Sequence, residues 1–205
     1  MVYTRPMEET SYKLTLISTS LVLYLWGWIE VNIPSLRTVA SIYTDIMFLA
    51  MMIGLAAFGG LWCFGVYAWP TLPEIPLHFA VGFAIGVLPY VARILLPMQF
   101  IPAYSELPRP LMLLVYGLAV PVAEEACFRG TMLPTLSNLF GKYVGALFST
   151  FLFTLMHWMV FTPSPQALVC IYLLGLLYAV VAHTLRSCTA SIIAHMTYST
   201  LLIIG

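Results

Sequence analysis

The chain has 205 residues, of which 61% are apolar and only 8% are charged. Soluble domains have about 45–50% apolar and about 25% charged residues, so most of this protein's surface must face lipid instead of water. Eight basic and eight acidic residues give a formal net charge of zero, which excludes the basic field that a nucleic-acid partner requires.

Apolar segments long enough to span a membrane follow one another along the whole chain. A membrane-spanning helix needs about 20 predominantly apolar residues, and short linkers, several of them rich in proline, separate the segments. The pattern predicts an all-α transmembrane bundle of about seven spans, with eight as the alternative. The segments are 14–33, 42–69, 77–97, 110–133, 143–162, 166–186 and 188–205.

The chain is interpreted as one integral membrane domain over residues 1–205. Glu8, Glu9 and Lys13 precede the first apolar segment and no small-residue cleavage site follows it, so we expect a retained span and no secretory signal. Basic residues in the loops favour a cytoplasmic N-terminus. Four lie on that side of the predicted topology and two on the other: Arg5, Lys13, Lys142 and Arg186 against Arg37 and Arg109.

Ionisable side chains interrupt three of the predicted spans. Such a group near the bilayer centre costs roughly 2.5–3.5 kcal/mol on insertion scales and indicates function by default. At 1.5 Å per residue, Glu124 lies about 3 Å from its segment's midpoint, His157 about 6 Å and His195 under about 2 Å. Groups at similar depths on separate helices predict one shared polar cavity, because isolated charges facing lipid would cost far more.

Helical spacing assigns neighbours to these residues. Glu125 and Arg129 are four residues apart and should form an ion pair within one helix. Glu124 points about 100° away from Glu125 and is free to face the cavity. Phe153 lies one turn before His157 and places an aromatic ring beside the imidazole.

The last span adds a polar stripe of Ser191, His195 and Ser199. A carboxylate and an imidazole can together take a proton from water, which predicts that Glu124 and His157 activate a nucleophilic water molecule. His195, helped by the Ser199 hydroxyl, would then donate hydrogen bonds to the oxyanion. Structural interpretations stay open: an ion pair that only joins helices, histidines that only pack, and a Ser191 that bonds its own helix.

At these residues the chain resembles the CAAX protease and bacteriocin-processing family (CPBP, also called Abi). Residues 124–130 are similar to its EExxxR motif in the EExxFRG form, and Phe153 with His157 matches FxxxH. His195 followed by Ser199 matches HxxxN except at the last position. The resemblance covers the predicted catalytic core, 110–205, whereas the N-terminal spans in 1–109 carry no matching motif.

The resemblance implies an intramembrane endopeptidase of the glutamic type in the cell membrane of a bacterium or archaeon. Its substrate would be a membrane-associated protein or peptide in the lipid bilayer, and no cofactor is expected. The serine at position 199 is a departure, because it has a shorter reach than asparagine. The resemblance implies water activation by Glu124 and His157, an oxyanion hole from His195 and Ser199, and support from Glu125 and Arg129.

Two other function classes use the same residues. Two histidines and a carboxylate with an open position form a legitimate zinc site, so a zinc-dependent intramembrane protease is one alternative. The other is a protein without catalysis, either a membrane scaffold or a transporter, because Glu, Arg and His also form proton relays in membranes.

Overall fold

The computed structural model describes residues 70–95, 108–161 and 165–205. In these ranges every regular element is a helix, which confirms the all-α prediction. The predicted spans 14–33 and 42–69 lie outside the described residues, so the total of about seven spans stays a prediction.

Five helices account for the predicted segments from 77–97 onward. Three of the described helical stretches are long and apolar enough to cross a membrane, namely Leu72–Ala92, Arg109–Phe140 and Pro165–Leu185. The helices are α1 (Ile75–Leu95, after a 3-10 turn at Leu72–Glu74), α2 (Arg109–Phe140), α3 (Lys142–Phe161), α4 (Pro165–Leu185) and α5 (Thr189–Ile204).

Helix α2 is longer than the sequence predicted. Residues 134–142 were expected to form a turn, but the helix continues to Phe140 and the chain reverses at Gly141 alone. Gly141 has φ of 84°, a left-handed conformation that glycine adopts without steric cost. Pro134 does not end the helix, because it follows a wide turn in which the regular hydrogen-bond pattern is already altered.

Wide π turns at Leu113–Ala119 and Ala126–Met132 alternate with α-helical turns along α2. Such turns are rare and occur frequently at functional sites. Between them, Pro121 has no N–H to donate to the carbonyl of Gly117. The Thr200 hydroxyl of α5 lies 3.5 Å from that carbonyl oxygen, so a neighbouring helix supplies a donor where the proline cannot.

Helices α1 and α5 run parallel and pack through small residues. Gly82 lies against the carbonyl of Ala190, and a Cβ atom added to Gly82 would come within 2.5 Å of that oxygen. Gly86 lies equally close to the carbonyl of Ala194. Small residues spaced four apart let membrane helices approach closely, and here they fix the helix that carries His195.

The apolar core lies where α2, α3 and α4 meet. Phe128 and Phe153 pack edge to face there, with ring centroids 5.2 Å apart. The buried members of this cluster are Ala123, Cys127, Phe128, Met132, Leu136, Phe153, Met156 and Ile171.

Replacing Gly86 by leucine should destabilise the bundle, because the new side chain would collide with the α5 backbone at Ala194. Overpacking of this kind costs about 1–3 kcal/mol, and the loss should appear as a lower thermal unfolding temperature in detergent micelles. The matched control is Ala84→Leu, which adds a larger side chain on the exposed face of the same helix. Equal unfolding temperatures for the two variants would contradict the close packing of α1 on α5.

Candidate active site

The Glu125 carboxylate joins α2 to α5. One oxygen, Oε1, lies 3.1 Å from Nη1 of Arg129 and 3.1 Å from Nδ1 of His195. Both Glu125 and Arg129 are fully buried. A carboxylate paired with a guanidinium only accepts hydrogen bonds, so the proton of this contact is on His195 Nδ1. The other ring nitrogen of His195 is therefore the one available for chemistry.

Glu124 approaches that second nitrogen. Its Oε2 atom lies 3.9 Å from His195 Nε2, and the side chain is buried inside the bundle, away from lipid. In the described part of the chain, Oε2 has no hydrogen-bond partner. The separation is too long for a direct hydrogen bond, and Oε2 is closed to solvent, so a water molecule between the two atoms requires a small opening of the site.

The ring of His157 on α3 is oriented by the backbone of its own helix. Its Nδ1 lies 2.9 Å from the carbonyl oxygen of Phe153. A carbonyl can only accept, so Nδ1 donates and the neutral ring keeps a lone pair on Nε2. His157 interacts electrostatically with Glu124, His195 and Arg129, which puts it in one cluster with the residues of α2 and α5.

Arg129 connects this cluster to α4. Its Nη2 atom donates to the carbonyl oxygen of Gly175 at 2.9 Å. Its guanidinium carbon lies 4.3 Å from the ring centroid of Phe153, at the distance of a cation–π contact. A Cβ atom on Gly175 would lie 3.0 Å from Nη2 and 3.1 Å from the Thr150 side chain. The absence of a side chain at position 175 therefore makes room for the guanidinium.

The Phe153 ring lies between the two imidazoles. Its centroid is 4.4 Å from that of His157 and 6.2 Å from that of His195. The sequence predicted the first of these contacts but not the second. Because the ring also contacts Arg129, it excludes water from one side of the charged groups.

The two serines of α5 differ in their surroundings. Ser191 is buried and donates to the carbonyl oxygen of Cys188 at 2.9 Å, as in the structural interpretation of this residue, while its hydroxyl also faces Glu125. Ser199 is half-buried one turn beyond His195. Its role as a donor to an oxyanion stays a prediction, since the contacts within the described ranges include none between Ser199 and His195.

A family model matches this region of the chain. The model, described as type II CAAX prenyl endopeptidase Rce1-like, covers residues 106–201. This region is therefore similar to the CAAX protease family. The match includes all three motifs and confirms the resemblance seen in the sequence. No curated protein and no solved structure matches the chain.

The match to the CAAX protease family has two consequences. The family is one of proteases whose substrates are membrane-associated proteins. Together with helices long and apolar enough to cross a bilayer, it identifies a membrane protein.

Two residues of this candidate site were missed by the sequence analysis. Gly175 was read only as part of an apolar span. Tyr178 lies with its ring centroid 5.7 Å from that of His195. A signal for Tyr178 existed, because it precedes Ser187 by nine residues and His195 follows Ser187 by eight. Two antiparallel helices joined at that turn place such positions at the same level.

Replacing Arg129 by methionine should strongly destabilise the protein, because the buried Glu125 carboxylate would lose its cation. Breaking a buried ion pair by removing one partner costs roughly 3–5 kcal/mol, to be measured by thermal unfolding in detergent. The double variant Glu125→Gln/Arg129→Met removes both charges and should recover part of this loss.

The control for this prediction is Arg109→Met, which removes an exposed arginine at the start of the same helix and should leave the unfolding temperature nearly unchanged. If Arg129→Met unfolds at the temperature of Arg109→Met, the buried pair does not stabilise the bundle.

Proposed function

We propose that this protein is an intramembrane endopeptidase that hydrolyses a peptide bond of a membrane-associated protein or peptide with water activated by Glu124 and His157. The observation that carries the proposal is the buried Glu124 carboxyl next to Nε2 of His195, in the interior of the bundle. The family match supports the reaction class.

Water activation is assigned to two groups on different helices. The Glu124 carboxylate and the lone pair on His157 Nε2 share the proton that leaves the water molecule. The water oxygen forms a bond to the carbonyl carbon of the substrate, whose oxygen becomes the oxyanion. The carbon–nitrogen bond then breaks, and the proton passes to the departing amine nitrogen.

His195 is assigned to the oxyanion. Because its Nδ1 already donates to Glu125, a hydrogen bond from Nε2 to the oxyanion requires a proton on both nitrogens. The carboxyl groups of Glu124 and Glu125 lie beside the two nitrogens and balance the positive charge of that ring. Ser199, one turn further along α5, is proposed as a second donor, following the position of asparagine in the HxxxN motif.

The substrate class follows from the family and from the surroundings of the site. The name of the matched family model points to prenylated CAAX proteins, whose lipid-bearing C-termini lie in the membrane. We propose that the substrate enters laterally between helices. A prenylated CAAX peptide and the same peptide without its prenyl group, both presented to the purified protein in liposomes, separate lipid recognition from peptide recognition.

Glu124→Gln should lower kcat for cleavage of the prenylated CAAX peptide by about 10²–10⁴-fold, the contribution of general acid–base catalysis. His157→Ala should lower it by a similar factor. Both variants should keep the wild-type unfolding temperature within a few degrees. Glu74→Gln, which changes an exposed carboxyl at the start of α1, should cleave at the wild-type rate. Normal cleavage by Glu124→Gln would show that the mechanism is wrong.

Metal dependence is tested in the same assay. Within the described ranges, no group of three or more His, Cys, Asp and Glu side chains is arranged to hold a metal ion, and the proposal assigns no step to one. The purified protein should therefore keep its activity after treatment with a strong zinc chelator. A loss that added Zn²⁺ restores would favour the zinc-dependent alternative.

A further inference from the structure

Tyr178 is a buried phenol that the proposed mechanism does not use. Its side chain is 2% exposed, and its Oη atom has no hydrogen-bond partner among the described residues. Burying an unpaired hydroxyl is costly, and most buried polar groups in proteins do have partners. A hydroxyl held in this way gains its missing hydrogen bond if a substrate group enters beside it.

The position of Tyr178 places it in the catalytic cluster. Its ring lies 5.7 Å from the imidazole of His195 at an angle of 35° between the planes. The guanidinium carbon of Arg129 lies 5.7 Å from the centroid of the same ring. Tyr178 also lies close enough to Glu125 for an electrostatic interaction, and its side chain is buried from the surrounding lipid.

The oxyanion site needs a second donor of suitable reach. Ser199 has a short side chain and is half-buried one turn beyond His195. Tyr178 carries its hydroxyl at the far end of a rigid ring, at the level of His195 on the neighbouring helix. Its single O–H can therefore reach further from the helix backbone than the hydroxyl of Ser199 can.

We propose that the Tyr178 hydroxyl donates a hydrogen bond to the substrate oxyanion beside His195 and, together with the shorter Ser199 donor, takes the place of the asparagine amide that position 199 lacks. This inference rests on the proposed function. It involves no covalent change at Tyr178, because the hydroxyl keeps its proton while it stabilises the negative oxygen. On this assignment Tyr178 is a catalytic residue.

Tyr178→Phe removes only the hydroxyl and keeps the ring against His195 and Arg129. Loss of one oxyanion donor typically lowers kcat by about 10²–10³-fold, and we expect this loss for cleavage of the prenylated CAAX peptide, with little change in KM. The matched control is Tyr172→Phe, which removes a hydroxyl from a half-buried position on the same helix and should leave kcat unchanged.

Rescue separates a catalytic hydroxyl from a structural one. In the Tyr178→Phe background, Ser199→Asn should raise kcat at least about tenfold, because the asparagine amide restores a donor of the kind that was lost. In the wild-type background, where the Tyr178 hydroxyl already donates, Ser199→Asn should raise kcat by a smaller factor than it does in Tyr178→Phe. The unfolding temperature should be the same for all these variants.

Wild-type kcat in Tyr178→Phe overturns the inference, and so does a loss that Ser199→Asn leaves unrepaired. Glu124→Gln, measured in the same assay, distinguishes this failure from failure of the proposed function. If Glu124→Gln is inactive while Tyr178→Phe is normal, only the assignment of Tyr178 is wrong. If Glu124→Gln cleaves normally, the water-activation mechanism is wrong and the assignment of Tyr178 falls with it.

Discussion

The arrangement of the site depends on one carboxylate oxygen. Oε1 of Glu125 accepts from Arg129 on its own helix and from His195 on α5, and Arg129 in turn donates to the α4 backbone. Two hydrogen bonds and one ion pair thus join three helices inside a medium where unpaired charge is costly. Phe153 brings the fourth helix, α3, against the same guanidinium. The interactions that hold the helices together are therefore the same ones that orient the His195 imidazole.

Glu124 and Glu125 lie beside different nitrogens of the His195 imidazole and can therefore have different roles. Consecutive helical residues point about 100° apart, so Glu124 and Glu125 cannot occupy the same place. Here they reach opposite sides of one ring, Glu125 at Nδ1 and Glu124 near Nε2. The buried, paired carboxylate fixes the tautomer, as carboxylates do for histidines at metal sites. The other carboxyl lies 3.9 Å from Nε2 of the same ring and is the one to which the proposed mechanism assigns the water molecule.

The main residues of the candidate site could be predicted from the sequence, and the physical reasons are clear. Charged residues in apolar spans are expensive, so Glu124, His157 and His195 stood out, and the spacing of Glu125 and Arg129 gave their ion pair. Spacing within one helix carries no information on how two helices are rotated against each other, so the contact between Glu125 and His195 was missed. The π turns of α2 were missed because nothing in an apolar segment marks them. Tyr178 was missed because a tyrosine in such a segment usually only packs.

Several buried polar atoms of the site lack a protein hydrogen-bond partner in the part of the chain that the structure describes, which bears on where water can bind. Buried polar atoms are nearly always hydrogen-bonded, yet within the described helices Glu124 Oε2, Arg129 Nε and Tyr178 Oη have no protein partner. These atoms are closed to solvent in this arrangement, and each would gain a hydrogen bond from a water molecule that a small side-chain movement admits. Hydrolysis within a bilayer requires a place where water is more stable than it is in lipid. The groups that make this bundle costly to fold are thus the groups that would keep the reagent of the reaction in place.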